Sequence, residues 1–152
     1  MDTRHLQPGQ ILARGVIRYL RGFDLIGVLE FSPTRGKRVD VAALGPKGEI
    51  WVIECKSSRA DFQTDTKWQD YLEWCDRFYF AVPTDFPTEI LPSDHGLMFA
   101  DGYGAEIIRE ALDDPLAAAR RKKLTLKLAR DAALRLHALS EATGRYADLD
   151  ET

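Results

Sequence analysis

The sequence lacks the features that mark several common protein classes. It has two cysteines, Cys55 and Cys75, in apolar surroundings, without a CxxC pair or a cysteine–histidine spacing. We therefore expect reduced core thiols rather than a disulfide framework or a zinc site. No apolar run approaches the roughly 20 residues that cross a membrane, and no signal-peptide core follows Met1. These absences favour a cytoplasmic protein without a membrane partner.

Phosphate-binding glycine loops, internal repeats and low-complexity tracts are also absent, and we expect no organic small-molecule cofactor. The 152 residues, 45% of them hydrophobic, predict one globular domain over 1–152. We expect a flexible N-terminus, about 1–7, and a flexible tail, about 145–152. The net charge of −3 weakens tight non-specific DNA binding. It does not exclude nucleic acid, because recognition depends on how the charge is distributed.

The chemistry of the chain is concentrated in the stretch 38–56, which has the pattern of a β-hairpin. An alternating strand leads into the turn GPKG, and a second strand runs over 49–56. The second strand contains the apolar run IWVI, which is typical of a strand covered on both faces. That run ends abruptly in Glu-Cys-Lys.

Charged side chains converge at the end of this hairpin. Glu54 and Lys56 share one strand face because side chains alternate, and Asp40 of the neighbouring strand can reach the same side. Burying each ion costs several kcal/mol, and a divalent cation is the simplest compensation. Asp40, Glu54 and the Cys55 carbonyl suit Mg²⁺ or Mn²⁺. The alternative is a Glu54–Lys56 ion pair near the strand end, with Asp40 bonded to a turn.

In this arrangement the sequence resembles the PD-(D/E)XK nuclease core. Asp40 matches the acid of one strand, and Glu54-Cys55-Lys56 matches the motif on the next. Val39 stands where the family has proline. The resemblance implies that Asp40, Glu54 and Cys55 bind the metal. It also implies that Lys56 orients or deprotonates the attacking water, or stabilises charge on the phosphate.

The match extends well beyond these residues. The segments RVDVAAL, IWVIECKSSRADFQTDTKWQDYLEWCDRFYFAVP and LPSDHGLMFADGYGAEIIREA resemble the MmcB-like DNA repair family of bacterial proteins. The resemblance runs from about Glu30 to the basic helix near Arg130. It implies an α/β domain of the restriction-endonuclease-like kind, with a mixed sheet of four or more strands flanked by helices. It also implies a metal-dependent nuclease that hydrolyses DNA in repair.

Secondary candidates lie around this core. Nucleases of this kind often carry a metal-assisting acid on the first helix, and the helix predicted over 9–21 has none, which puts a second metal in doubt. Glu30, the one acid in the apolar strand 25–31, either substitutes for that acid or faces solvent at a sheet edge. By the resemblance, Lys67 and Gln69 orient the water or contact the scissile phosphate. The alternative is that both are exposed on an amphipathic helix.

The remaining pattern predicts further elements. We expect a loop over 57–61, a helix over 65–75 capped by Thr64, and a strand at 78–83 parallel to an earlier one. A long helix should run from Asp114 to about Ser140. It carries a basic stripe at spacings of three and four that can follow a phosphate backbone or simply be solvated. The stripe consists of Arg120, Lys123, Lys127 and Arg130.

Two other function classes fit the same residues. A catalytically silent DNA- or protein-binding module would keep the fold and the basic stripe without needing the acid–lysine constellation. A phosphodiesterase acting on RNA or nucleotides would use it unchanged, because the constellation recognises a phosphodiester and not a sugar. A homodimer is common among nucleases that cut both strands, but no feature of the sequence requires one.

Overall fold

The apolar strand of the predicted hairpin lies inside a six-stranded sheet, with neighbours on both sides. The computed structural model describes residues 5–146. The strands are β1 (Ile26–Phe31), β2 (Val39–Leu44), β3 (Ile50–Cys55), β4 (Arg77–Val82), β5 (Gly96–Ala100) and β6 (Ala105–Arg109). The helices are α1 (Pro8–Arg21), α2 (Arg59–Thr64) and α3 (Ala118–Thr143), with 3₁₀ helices at Trp68–Trp74 and Thr88–Ile90. The predictions for residues 1–4 and 147–152 lie outside the described part of the chain.

The sheet follows chain order, β1-β2-β3-β4-β5-β6. The strands β1, β2 and β3 are antiparallel, β3, β4 and β5 are parallel, and β6 returns antiparallel. The connection from β3 to β4 passes through helical segments, as a parallel pair requires. This confirms the predicted α/β class, a mixed β-sheet of four or more strands flanked by α-helices, and the predicted parallel strand.

Apolar layers cover both faces of the sheet. On one face, Val16 of α1 packs in the same cluster as Ile53 of β3. On the other, Val52 packs with Trp68 of the 3₁₀ helix and Leu124 of α3. Neighbouring residues of β3 thus enter opposite cores, which explains the continuous apolar run. Cys55 and Cys75 are free and buried, as predicted.

The position of α1 is set by Gly15. A Cβ atom there would lie 1.8 Å from the carbonyl oxygen of Asp101 and 2.6 Å from that of Gly104. The helix backbone therefore sits directly on the turn between β5 and β6. Arg14 strengthens this contact by donating from Nη1 to the Gly102 carbonyl at 2.9 Å.

The start of α3 is attached to the sheet through a buried ion pair. Asp76, only 5% exposed, accepts two hydrogen bonds of 2.6 Å from the guanidinium of Arg121. The same carboxylate accepts the main-chain N–H groups of Ile50 and Leu116 at 2.8 Å. Burial alone would raise the pKa of Asp76, but Arg121 and these N–H groups hold it below its usual value. Four hydrogen bonds thus compensate the desolvation of this carboxylate.

Two helix predictions were wrong at their boundaries. The helix predicted over 65–75 with Thr64 as its cap is a 3₁₀ helix starting at Trp68. Within the predicted loop, Ser58 caps a separate helix, α2, which ends at Thr64. The two helices are separate because the backbone of Asp65 is extended and its side chain points inwards to Lys56. Trp68, the first residue of the 3₁₀ helix, is buried in the core.

The other boundary error lies at the start of α3. This helix begins at Ala118 and not at Asp114, because the main-chain N–H groups of Asp114 and Leu116 bind the carbonyl and carboxylate of Asp76. Its end is confirmed, since Gly144 caps it in the left-handed conformation at φ 66°.

The Asp76–Arg121 pair predicts a large stability difference between neighbouring arginines. Arg121→Ala leaves a buried carboxylate without its counter-ion and should lower the free energy of unfolding by about 3 kcal/mol. Arg120→Ala, which removes an arginine more exposed to solvent, should lower it by about 1 kcal/mol or less. Urea denaturation followed by circular dichroism measures both, and equal losses would contradict the anchoring role of Arg121.

The Gly15 contact predicts opposite effects of the same substitution in one helix. Gly15→Ala should destabilise the protein by about 1–3 kcal/mol, because the methyl group meets main-chain oxygen atoms that cannot move freely. Gly9→Ala places its methyl group 4.0 Å from the carbonyl oxygen of Cys55, an ordinary van der Waals contact. It should therefore gain up to about 1 kcal/mol of helix propensity. Thermal melting of both variants tests this. A Gly15→Ala protein as stable as the wild type would contradict the close contact between α1 and the turn that joins β5 to β6.

Candidate active site

Asp40 and Glu54 face each other where β2 begins and β3 ends. The last main-chain pair of the two strands is Val41–Ile53, and Asp40–Glu54 is the next position in register. The Asp40 N–H donates to Oε1 of Glu54 at 2.9 Å. The Cys55 N–H donates to Oδ2 of Asp40 at 2.8 Å. Each carboxylate is thus fixed by the backbone of the opposite strand.

These hydrogen bonds use one oxygen of each carboxylate. Within residues 5–146, no hydrogen bond ends on Oδ1 of Asp40 or Oε2 of Glu54. Glu54 is only 4% exposed. The pair therefore offers two oxygens that the described residues do not use, at a place where solvent is largely excluded.

The environment of the pair opposes two negative charges. Burial first, and then the neighbouring Asp40 carboxylate, raise the pKa of Glu54 to about 8. Burial also raises the pKa of Asp40, although the Cys55 N–H and Lys56 act in the opposite direction. At neutral pH the pair without a cation therefore retains a proton. A cation placed at the two oxygens would favour the doubly ionised form.

Lys56 pairs with Asp65 and not with Glu54, contrary to the ion-pair alternative considered from the sequence. Its Nζ lies 2.6 Å from Oδ2 of Asp65, and the two side chains are 8% and 13% exposed. Burial lowers the pKa of Lys56, but the hydrogen bond and charge of Asp65 outweigh it and the pKa is raised. Lys56 is therefore an ammonium at neutral pH.

Asp65 is the site residue that the sequence interpretation missed. We had assigned it to the start of a helix, and it does accept the Lys67 N–H at Oδ1, 2.8 Å away. Its other oxygen, however, binds Lys56. The available signal was the buried lysine itself, because a buried ammonium requires a counter-ion and Asp61 and Asp65 follow within ten residues. The structure assigns Asp61 to the Ser57 N–H at 3.0 Å.

Glu30 lies close to Asp40. Its neighbours in β1 pair with the residues on either side of Asp40, which places Glu30 beside Asp40 in register. Both residues line a cavity of about 300 Å³, whose opposite wall is formed by α1 with Gln10, Arg14 and Arg18. Glu30 is exposed and has φ 49°, a left-handed conformation that is uncommon for glutamate. The structure thus brings this predicted residue to the same end of the sheet.

Lys67 and Gln69 stand apart from the carboxylate pair. Both side chains are exposed, whereas Trp68 between them and Tyr71 are buried on the inner side of the 3₁₀ helix. Only the main chain of Lys67 contacts the site, through Asp65. The structure therefore gives their side chains no contact with Asp40, Glu54 or Lys56 within residues 5–146.

The basic stripe of α3 is divided between structural and exposed residues. Arg120 lies 4.3 Å above the ring centre of Trp74 and donates to the Glu73 carbonyl at 3.1 Å. Lys123, Lys127 and Arg130 are exposed. The helix starts at the end of the sheet opposite the carboxylates. One to two turns after the stripe ends, Arg135 donates to the Leu29 and Glu30 carbonyls at the near end. The stripe therefore runs towards the site.

Metal ligands form an incomplete set among the side chains. Within residues 5–146, no group of three His, Cys, Asp or Glu side chains is arranged to hold a metal ion. Asp40 and Glu54 supply two carboxylates, so main-chain oxygen and water would have to complete a coordination shell. That requirement fits Mg²⁺, which usually binds one or two protein carboxylates and keeps several waters.

None of the helices within residues 5–146 is long and apolar enough to cross a membrane.

The comparisons with known proteins concern nearly the whole chain. The family model described as "DNA repair protein MmcB-like" matches residues 1–143. The chain matches none of the curated proteins. Among solved structures it is similar to SPO1766, a protein of unknown function from Silicibacter pomeroyi, with 60% identity and a TM-score of 0.89. That match covers 95% of this chain and 99% of the other.

A second solved structure, a repair endonuclease from Pyrococcus abyssi, has 21% identity and a TM-score of 0.36. It covers 51% of this chain and 38% of the other, a likeness too small to inform on activity. The family match, in contrast, includes every site residue described above. From Glu30 to Arg130, the candidate residues all fall within residues 1–143. The chain belongs to the MmcB-like family of DNA repair proteins.

Proposed function

We propose that the protein is a metal-dependent nuclease that hydrolyses phosphodiester bonds of DNA during repair. The observation that carries the proposal is the reciprocal pairing of Asp40 and Glu54 at one end of the sheet, with the ammonium of Lys56 close by. The family supplies the repair context. The geometry supplies the reaction class, because two carboxylates and a cation at one buried edge suit phosphoryl chemistry.

Asp40 and Glu54, with the Cys55 carbonyl, would hold Mg²⁺ or Mn²⁺. The unused oxygens of the two carboxylates fit a hard cation. Burial and the Asp40 carboxylate raise the pKa of Glu54, so an added positive charge would stabilise the ionised pair. When bound, such an ion makes a water more acidic and neutralises charge that develops on the phosphate. The protein fixes its two carboxylates beforehand through the N–H groups of Asp40 and Cys55.

Lys56 acts as an electrostatic group in this proposal. A lysine that accepts a proton from water must first be neutral, and the pairing with Asp65 favours the ammonium. As an ammonium it donates hydrogen bonds to a phosphate oxygen and stabilises the negative charge that builds up in the transition state. Of the roles considered from the sequence, deprotonation of the water is the one this environment opposes.

Peripheral residues complete the proposal. Glu30, in the cavity beside Asp40, would bind a water or contribute to a second metal, in place of the acid that α1 lacks. Lys67 and Gln69 would contact DNA from the surface of the 3₁₀ helix. On α3, the exposed Lys123, Lys127 and Arg130 would follow the phosphate backbone. Arg120, held by Trp74 and Glu73, would contribute less.

A catalytically silent DNA- or protein-binding module is the second candidate. It is favoured by one observation, the absence of a third acidic or histidine ligand suitably placed within residues 5–146. Such a module would keep the basic face of α3 and the buried carboxylate pair without hydrolysing DNA.

Cleavage of DNA tests the proposal directly. With Mn²⁺ or Mg²⁺, the protein should cut at least one substrate in a panel of branched, nicked and single-stranded DNA. Asp40→Ala and Glu54→Ala should each reduce the rate by about 100-fold or more, because each removes a group that would act on the reacting phosphate. DNA affinity, measured by fluorescence anisotropy without metal, should fall little. Absence of cleavage would favour the silent module, whereas equal cleavage by Glu54→Ala would contradict the assignment of the reaction to this carboxylate pair.

The raised pKa of Glu54 predicts a pH-dependent metal effect. Its stabilising contribution is fully present below the unfolded value of 4.5 and is lost as the pH rises towards about 8. Without metal, the melting temperature should therefore fall as the pH rises from about 4.5 to about 8. Mg²⁺ should raise it more at the higher pH, because the ion competes with a proton.

Glu54→Gln should remove both effects, and Glu49→Gln, at the other end of the hairpin's second strand, should retain them. Differential scanning fluorimetry at several pH values measures all three proteins. A Mg²⁺ shift that is the same at every pH, or that survives in Glu54→Gln, would contradict a metal site at this pair.

A further inference from the structure

Lys56 has one anionic partner among residues 5–146, and that partner is Asp65. Their 2.6 Å contact lies in a place where little solvent reaches either side chain. A buried ammonium must be paired, since leaving it alone costs several kcal/mol. The contact therefore determines where the charged end of Lys56 lies.

Hydrogen bonds fix both the main chain and the side chain of Asp65. Its main-chain N–H donates to the Phe62 carbonyl at 3.1 Å, and its Oδ1 accepts the Lys67 N–H at 2.8 Å. Phe62 in turn packs edge-on against Phe80 of β4, with ring centres 5.6 Å apart. The break between α2 and the 3₁₀ helix thus presents one carboxylate oxygen to Lys56 from a backbone attached to the core.

Two further carboxylates lie close enough to the same ammonium for its charge to oppose the burial-raised pKa of each, those of Asp40 and Glu54. Lys56 follows Glu54 by two residues on the same side of β3, and the unused oxygens of Glu54 and Asp40 are at that end of the sheet. Without Asp65, a buried Lys56 would satisfy its charge on this pair. It would then occupy the oxygens that the proposed function reserves for the metal.

We propose that Asp65 is a positioning residue for catalysis. By binding Nζ of Lys56, Asp65 holds the ammonium near the Asp40–Glu54 pair without letting it bind either carboxylate. The carboxylates remain available for the cation, and the remaining N–H groups of Lys56 remain available for a phosphate oxygen. The inference rests on the proposed nuclease function and adds to it a residue that the sequence motif does not include.

Asp65→Asn tests this with little change of shape. The amide oxygen can still accept the Lys67 N–H, but the group facing Lys56 is uncharged. Single-turnover cleavage should slow by about 10- to 100-fold, because a misplaced catalytic group is enough for a loss of that size. DNA affinity should be unchanged or tighter, because an anion near the polyanion has been removed. The rise in melting temperature caused by Mn²⁺ should shrink, because Lys56 now competes for the carboxylates.

Asp70→Asn is the matched control. Asp70 pairs with Lys37 on the surface, where the aspartate side chain is 51% exposed, so the same substitution breaks an aspartate–lysine pair away from the site. This variant should cleave and respond to Mn²⁺ as the wild type does. Asp65→Glu restores the charge and should recover part of the lost rate, which a merely structural role in capping would not explain.

The outcomes separate the two proposals. If the wild type cleaves and Asp65→Asn cleaves equally well or faster, the positioning role is overturned while the nuclease remains. A faster Asp65→Asn would instead make Asp65 a restraint on Lys56. If the wild type neither cleaves nor responds to Mn²⁺, the proposed function fails and the positioning role fails with it.

Discussion

The reciprocal attachment of Asp40 and Glu54 to each other's strands is the interaction on which the site depends. Main-chain pairing of β2 and β3 ends at Val41–Ile53, and from there the carboxylates take over the N–H groups of the opposite strand. Where the pairing of two strands ends, polar main-chain groups are normally exposed to water. Here the carboxylates of Asp40 and Glu54 face each other at that point and are largely shielded from solvent. The raised pKa values of both carboxylates follow from this arrangement, and a neighbouring positive charge would stabilise their ionised forms.

The two ends of β3 show how differently a fold can treat buried charge. At the Ile50 end, Asp76 has a bidentate arginine and two N–H donors, so its pKa is lowered and its capacity for further contacts is used up. At the Glu54 end, burial first and then the neighbouring Asp40 carboxylate raise the pKa of Glu54 to about 8. The first arrangement stabilises the fold. The second leaves two buried carboxylates without full neutralisation by neighbouring groups. Perturbed carboxylates of this kind are more frequent at functional sites.

The sequence predicted the elements whose patterns are local. Alternation and the GPKG turn determine the hairpin, and the apolar run of β3 reports its two buried faces. Asp40, Glu54 and Lys56 could be placed together for the same reason, since strand parity decides which face each side chain occupies. Asp65 could not be placed, because its role depends on a helix break caused by a tertiary contact. The same holds for the contact of Arg121 with Asp76, since the two residues lie 45 positions apart in the chain.

The long helix α3 connects these two ends physically. Arg121 binds Asp76 beside the start of β3, and Arg135 binds the carbonyls of Leu29 and Glu30 beside the acids. Fourteen residues of helix rise about 21 Å, close to the length of a six-residue strand. The helix therefore spans the sheet from its neutralised end to its acidic end. Its exposed lysines lie along that path. In the proposed function, a polyanion guided by them would reach the carboxylates at this end, and the proposed cation would offset their repulsion.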